Sequence, residues 1–250
     1  MKLAGKTILV TGATGGLGRA IAAELAGRGA VVVLSSRKPD ELQALADELP
    51  GEGHRIVVAD LSEPGAAERL VAEAGELDGI VLNAGDRAHG PVDELSAEHI
   101  ERVIRVNLEA PVQMTRAVSP GLRARGEGHL VFIASLAGKA AAPRHILYGA
   151  TKSGLRAFAL SLRQDLARDG VGVSVINPGF IREAGMFARS GAKPPMNLGT
   201  SSPEEVGEAV AEAIEKDKAE IDVAPFRQRE LANFALRFPH AAARVSGGVD

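Results

Sequence analysis

KTILVTGATGGLGRAIAAELAGRG, residues 6–29, is the stretch that decides the fold. It opens on a short apolar run at 6–11 and breaks into TGATGGLG at 11–18. It resumes as RAIAAELAGRG, with apolar residues at helical spacing until Gly29 stops them. A buried strand, a glycine turn and a helix make an opening suited to a nucleotide. Glycine lets main chain approach a ligand, and the first turn of a helix offers free N–H groups and a positive dipole end to phosphate. An ordinary glycine-rich turn between strand and helix looks the same locally, so the rest of the chain has to discriminate.

Outward from that opening the alternation continues. AVVVLS at 30–35 runs through Ser36, Arg37 and Lys38 into a helical segment at 39–49, and HRIVVAD at 54–60 is followed by a helix at 64–74. DGIVLNAG at 78–85 ends in Asn83-Ala84-Gly85, GHLVFIAS at 128–135 delivers Ser135, and VGVSVINPG at 171–179 ends in Asn177-Pro178-Gly179. AEIDVAP at 219–225 supplies a last strand. Strands alternating with helices call for a parallel sheet wrapped on both faces, and such sheets bind ligands along the edge made by the carboxyl ends of their strands. Gly12, Asp60 and Asn83 are expected on that edge. Asp60 suits an adenine amino group and equally suits a cap on the following helix; the two roles are compatible. After the second strand, a carboxylate would accept the ribose 2′-hydroxyl of NAD, whereas arginine accommodates the 2′-phosphate of NADP. The chain has Ser36-Arg37 there, which favours NADP.

Two helical stretches carry chemistry. Residues 96–125 read as a long helix with Ser96 as N-cap, and inside it Asn107 sits among apolar neighbours. A buried amide must be paired, and Pro111, four residues on, deprives the carbonyl of residue 107 of its helical donor. A kink is expected there, for structure or to hold a water. HILYGATK at 145–152 starts another helix, predicted to run to about 169. Tyr148, the chain's only tyrosine, lies one turn from Lys152, and a nearby ammonium favours phenolate. Taken alone, a tyrosine at a helix start more often simply packs.

The 250 residues suffice for one large α/β domain, and no repeat or composition break divides them. A net charge of −3 gives no sign of a nucleic-acid surface. The absence of cysteine excludes disulfides, thiolate metal sites and thiol catalysis, no metal site is indicated, and a reducing cytoplasm is consistent. No signal segment and no run of about 18 apolar residues is found, so a soluble protein without a membrane span is expected. The stretch 180–202, starting at the end of a central strand, reads as a substrate lid. Ser202, Pro203 and Glu205 open a helix to residue 216 with a capping box. The tail at 226–250 spaces Leu231, Phe234, Ala235 and Phe238 along one face between Arg227, Arg229 and Arg237. Packing on this domain or on a subunit partner is the expectation; a membrane-surface helix is the alternative.

TGATGGLG at 11–18, LNAG at 82–85, Asn107, Ser135, YGATK at 148–152 and NPG at 177–179 stand in the order and spacing of the classical short-chain dehydrogenase/reductase family, which the chain resembles from residue 6 to about 225. The resemblance implies a single Rossmann-type domain with a seven-stranded parallel sheet, assembled as a homodimer or homotetramer. It implies a catalytic set in which Tyr148 is the general acid, Lys152 lowers its pKa and holds the nicotinamide ribose, Ser135 bonds the substrate oxygen, and Asn107 holds a water behind Lys152. The implied cofactor contacts begin with Gly12, Thr14, Gly16, Leu17 and Gly18, then Ser36, Arg37, Asp60 and Leu61. They continue through Asn83, Ala84, Gly85, Tyr148 and Lys152 to Pro178, Gly179 and Ile181. Two departures stand out: Gly15 occupies the other basic position used by some NADP-dependent members, and Glu183 replaces the usual threonine beyond Pro-Gly, leaving main chain near Ile181 to hold the carboxamide. Leu82, where a second asparagine is common, is a milder one.

Phe180, Met186, Phe187, Met196, Leu198, Leu136 and Leu147 favour an apolar ketone or alcohol as the small-molecule substrate; against this stand Arg144, His145 and Arg182, any of which could meet a carboxylate, though such residues are more often solvated at a cleft rim. The expectation is an NADPH-dependent carbonyl reductase, with NAD as the other cofactor to consider. Its alternatives are a 3-oxoacyl-thioester reductase, docking an acyl carrier on Arg144 and Lys139, and a catalytically silent nucleotide-binding sensor.

Overall fold

The computed structural model describes residues 1–141, 143–182 and 198–245. The first half runs β1 (Thr7–Thr11), α1 (Gly16–Gly27), β2 (Val31–Ser36), α2 (Pro39–Glu48), β3 (Arg55–Val58), α3 (Ala66–Ala74) and β4 (Gly79–Leu82). After α4 (Ala97–Ile104) and α5 (Ala110–Arg125) come β5 (Gly128–Ile133), α6 (Ile146–Leu166) and β6 (Val171–Pro178). The chain then forms α7 (Pro203–Lys216), β7 (Glu220–Val223), α8 (Phe226–Arg237) and α9 (Pro239–Val245).

The seven strands make one sheet, parallel throughout as the alternating pattern predicts, in the order β3-β2-β1-β4-β5-β6-β7. Strand order reverses between β1 and β4, so the loops after these two strands part and leave a crevice at their carboxyl ends. Period-two alternation sorts the core. Ile8, Val10, Val32 and Leu34 pack beneath α1 and α7, while Leu9, Val33, Ile80 and Phe132 pack against α3, α5 and α6. Each such side chain, fully buried, contributes about 1.5–3 kcal/mol relative to exposure. β4 and β5 are buried along their whole length, which is why they read as unbroken apolar runs.

Three boundaries differ from the sequence expectation. The third and fourth strands stop at Val58 and Leu82, leaving Asp60 and Asn83-Ala84-Gly85 in the turns beyond. The helix expected over 96–125 is broken by a π turn at Arg105–Glu109. Pro111 cannot donate to the carbonyl four residues back, and the chain absorbs the lost bond by widening one turn around Asn107. Ser96 does cap α4, accepting from His99 N–H at 3.2 Å, and Ser202 with Glu205 forms the capping box of α7. No helix among the described residues is long and apolar enough to cross a membrane.

Candidate active site

The phosphate loop between β1 and α1 is shaped by missing side chains. Gly12 has φ +64°, in the left-handed region, and a Cβ there would lie 3.0 Å from Ala84 Cα. A Cβ on Gly18 would overlap the Gly12 carbonyl oxygen and sit 2.7 Å from Ala13 Cα. Main chain and the α1 N-terminus thus form a cradle that only glycine permits, and it fits the phosphates of a dinucleotide. Gly16 opens α1, Leu17 packs against the core, and Thr14 O accepts from Arg19 Nε at 3.2 Å. Asn83 closes the loop from the β4 side, its Nδ2 donating to Thr11 O at 2.9 Å and Gly12 O at 3.3 Å. Thr11 Oγ1 accepts from the N–H groups of both Asn83 and Ala84 at 3.0 Å. Thr11 tied β1 to β4 without any signal in its sequence context, since threonine at a strand end is unremarkable.

Along the same edge, Asp60 Oδ1 accepts from Ser62 N–H at 2.9 Å and Ser62 Oγ at 2.7 Å; it closes a turn ahead of α3 instead of capping that helix, whose N-cap is Gly65. Burial pushes its carboxyl up, but these hydrogen bonds, with Arg37 and Arg102 beyond, hold it below the usual carboxylate range. Arg37, exposed at the end of β2, lies 3.7 Å from Asp60 Oδ2, and Ser36 Oγ accepts from Lys38 N–H. Leu61 is buried in the core, so only its main chain faces the crevice.

Deeper in, Asn107 is fully buried with its amide engaged on every side. Its Oδ1 accepts from Asp86 N–H at 2.6 Å, and Nδ2 donates to Asp86 O at 3.0 Å and Thr151 Oγ1 at 3.2 Å. The side chain therefore fastens the loop after β4 to α6. Thr151 and Asp86 were not foreseen; nothing local distinguishes them. One residue on, Lys152 is buried, and its Nζ donates to Ile133 O at 2.7 Å. A Cβ on Gly85 would approach this Nζ to 3.6 Å, which brings the fourth strand's turn and Lys152 together.

Tyr148, half-buried in the first turn of α6, lies near Ser135, whose hydroxyl pulls its pKa down. Ser135 Oγ donates to Pro178 O at 3.3 Å and accepts from Ala137 N–H at 3.1 Å, which fixes its rotamer. The expected lowering of the Tyr148 pKa by Lys152 is not what this geometry produces. Burial pushes the phenol up to about 12, against a downward pull from Ser135, and burial brings Lys152 down to about 8. The ammonium is 5.8 Å from the phenol ring centroid and spends a hydrogen bond on Ile133, so each group is pushed toward its neutral form. Tyr148 accordingly carries its proton throughout the neutral range, the state a proton donor needs.

Beyond β6 the chain is held by a residue the sequence did not single out. Gln228, buried on α8, accepts from Phe180 N–H at 3.1 Å and donates to Leu198 O at 3.2 Å and Gly199 O at 2.6 Å. Ser201 N–H donates to Phe180 O, and Arg182 N–H to Ser201 O, joining Ile181 and Ser201 in a parallel bridge. Both described ends of the 180–202 stretch are thus closed on each other, with Gly179 N–H donating to Val223 O. Met186, Phe187, Met196 and Glu183, and with them most of the expected lid, lie outside the described residues. Lys139, expected at a basic docking patch, is instead buried. Its Nζ meets Asp222 at 2.7 and 2.9 Å and Glu220 at 3.1 Å, and Arg156 and Asn177 complete the cluster. Acids on β7 two residues apart on one face drew it inward, a pairing across 83 residues that no local pattern reveals.

Comparison with known proteins converges on one chemistry. The family model described as short chain dehydrogenase matches residues 6–195. The chain is 34% identical over 227 residues to the ketoacyl reductase HetN of Nostoc sp., covering 88% of this chain and 79% of that one. It is 37% identical over 188 residues to the oxidoreductase UcpA of Escherichia coli, covering 72% and 71%. Among solved structures, a 3-oxoacyl (acyl-carrier-protein) reductase from Agrobacterium tumefaciens with NADP bound superposes with a TM-score of 0.82 at 28% identity, covering 88% of this chain and 93% of that one. A short-chain dehydrogenase from Sphingobium yanoikuyae in complex with NADPH gives 0.80 at 27%, covering 97% and 91%.

Proposed function

The chain belongs to the short-chain dehydrogenase/reductase family, NAD(P)-dependent oxidoreductases acting on CH–OH and C=O groups, and we propose that it reduces an apolar ketone with NADPH. The observation that carries this reading is the convergence of Ser135 and Tyr148, close enough for the hydroxyl to pull on the phenol's pKa, with a buried Lys152 one turn along α6. NADPH supplies hydride to the carbonyl carbon. Tyr148 donates its proton to the oxygen that becomes negative, and Ser135, its rotamer fixed by Pro178 and Ala137, holds that oxygen within reach. Lys152 is poised to exchange Ile133 O for the nicotinamide ribose hydroxyls, keeping a positive charge behind Tyr148. Asn107 keeps α6 and the loop after β4 in register, and its carbonyl is the acceptor for a water behind Lys152.

Gly12, Thr14, Gly16, Leu17 and Gly18 would take the pyrophosphate, and Asp60, Leu61, Asn83, Ala84 and Gly85 the adenosine side. Pro178, Gly179 and Ile181 would meet the nicotinamide through main chain that Gln228 fixes. Preference for NADP over NAD rests on Ser36 and the exposed Arg37, whose guanidinium can turn from Asp60 to a 2′-phosphate. The names of the relatives favour 3-oxoacyl-thioester reduction as a second reading, but burial of Lys139 removes half of the carrier-docking patch it would use. A homodimer or homotetramer belongs to the same proposal, supported by Leu231, Phe234 and Phe238, which α8 leaves exposed while it buries Gln228 and Ala232 on the domain.

Thermal unfolding with NADPH and, separately, NADH tests the cofactor assignment. A ligand that binds only the folded state at a hundredfold excess over Kd stabilises by about 2.7 kcal/mol. NADPH is expected to give the larger rise in Tm, and Arg37→Ala to erase the difference; a larger rise with NADH would overturn the assignment.

A further inference from the structure

The loop leaving β4 and the loop entering α6 are tied together at the mouth of the crevice, Gly90 N–H donating to Arg144 O at 2.9 Å. Together they bring two arginines and two histidines close to one another. Arg144 Nε donates to His89 Nε2 at 3.4 Å, and the rings of His89 and His145 meet edge-on with centroids 4.9 Å apart. His145 is held below the ordinary imidazole pKa by burial, then by the charges of His89 and Arg87. Arg144 has φ +64°, a left-handed conformation uncommon outside glycine and a pointer to function when it occurs beside a candidate site.

No carboxylate among the described residues pairs with any of these four. Asp86 is taken by Arg102 at 2.6 Å, and Glu94, near Gly90, pairs with none of them. Elsewhere exposed arginines find acids, as Arg116 does with Glu68 and Arg125 with Glu76. The two guanidiniums of Arg87 and Arg144 are thus left without a counter-charge, which an anionic ligand would supply. His145 stands at the N-cap position of α6, one turn ahead of Tyr148, which places the cluster beside the candidate active site.

We propose that Arg87, His89, Arg144 and His145 form an anion subsite, which receives a carboxylate or phosphate that the substrate carries at a distance from its carbonyl. This rests on the ketone-reductase reading and narrows it: the substrate is amphipathic, with an apolar body and one anionic end. Two arginines give bidentate, charge-assisted hydrogen bonds that neutral analogues cannot satisfy.

The test compares levulinate with its methyl ester, and the same pair lengthened by one and by two methylenes, on the NADPH-loaded enzyme. Both kcat/KM and equilibrium binding are measured, because binding reads the subsite even where hydride transfer fails. At one chain length the acid is expected to exceed the ester by at least about tenfold in binding, the yield of one charge-assisted contact. The double variant R87Q/R144Q should bring the ratio near one. Esters binding as well as acids at every length, or a preference that survives the double variant, would overturn the proposal. Replacing the carboxylate by a phosphate monoester at the best length tells which anion the subsite is made for. An acid that binds with the predicted preference but is never reduced would count against the reductase reading and for the subsite.

Discussion

At one end of the crevice Gly12 and Gly18 work by having no side chain; at the other, the buried side chains of Asn107, Lys139 and Gln228 hold the structure together. The phosphate cradle is main chain brought within van der Waals contact of main chain, and a single added carbon would collide. The far end is three buried polar side chains, each joining segments distant in sequence: Asn107 to Asp86 and Thr151, Lys139 to β7, Gln228 to both described ends of the 180–202 stretch. Atoms added at the first end and atoms removed at the second should therefore do the damage.

The largest effect is expected at the far end. Lys139→Met leaves the half-buried Glu220 and Asp222 with one fewer cation and should destabilise by about 3 kcal/mol in denaturant unfolding. A surface lysine would give almost nothing, so a negligible change would return Lys139 to the docking patch. Gly18→Ala comes next, forcing main chain apart at a cost of about 2 kcal/mol. It should also weaken the NADPH-induced rise in Tm; an unaltered rise would mean the cradle does not hold the nucleotide. The smallest is Gln228→Leu, about 1 kcal/mol, because two of its partners are carbonyls that water can reach after the bond is lost. Its sharper readout is kinetic: with Phe180 and Ile181 no longer fixed, the loss should fall on kcat and on KM for NADPH rather than on stability alone.

These contrasts also explain what could be read in advance. The cradle is contiguous, so TGATGGLG carried its own signature, and β4 and β5 announced themselves as unbroken apolar runs because both faces of the sheet are covered. The widening at Asn107 was legible as a kink because proline's missing donor is a local fact; that it takes the form of a π turn was not. Lys139 and Gln228 could not be placed, since their partners lie 83 and at least 29 residues away and neither type is diagnostic. The Tyr148–Lys152 pair was found by spacing, yet spacing says nothing of burial, and burial rather than the ammonium dominates the phenol.

Substitution of the phenol is the most direct test of the account. Tyr148→Phe removes the proton and leaves ring, cradle and Lys152 in place, and is measured by NADPH oxidation with a ketone substrate alongside NADPH-dependent thermal unfolding. The account predicts a loss of turnover of at least about a hundredfold with the NADPH-induced rise in Tm retained. Full turnover in that variant would contradict it.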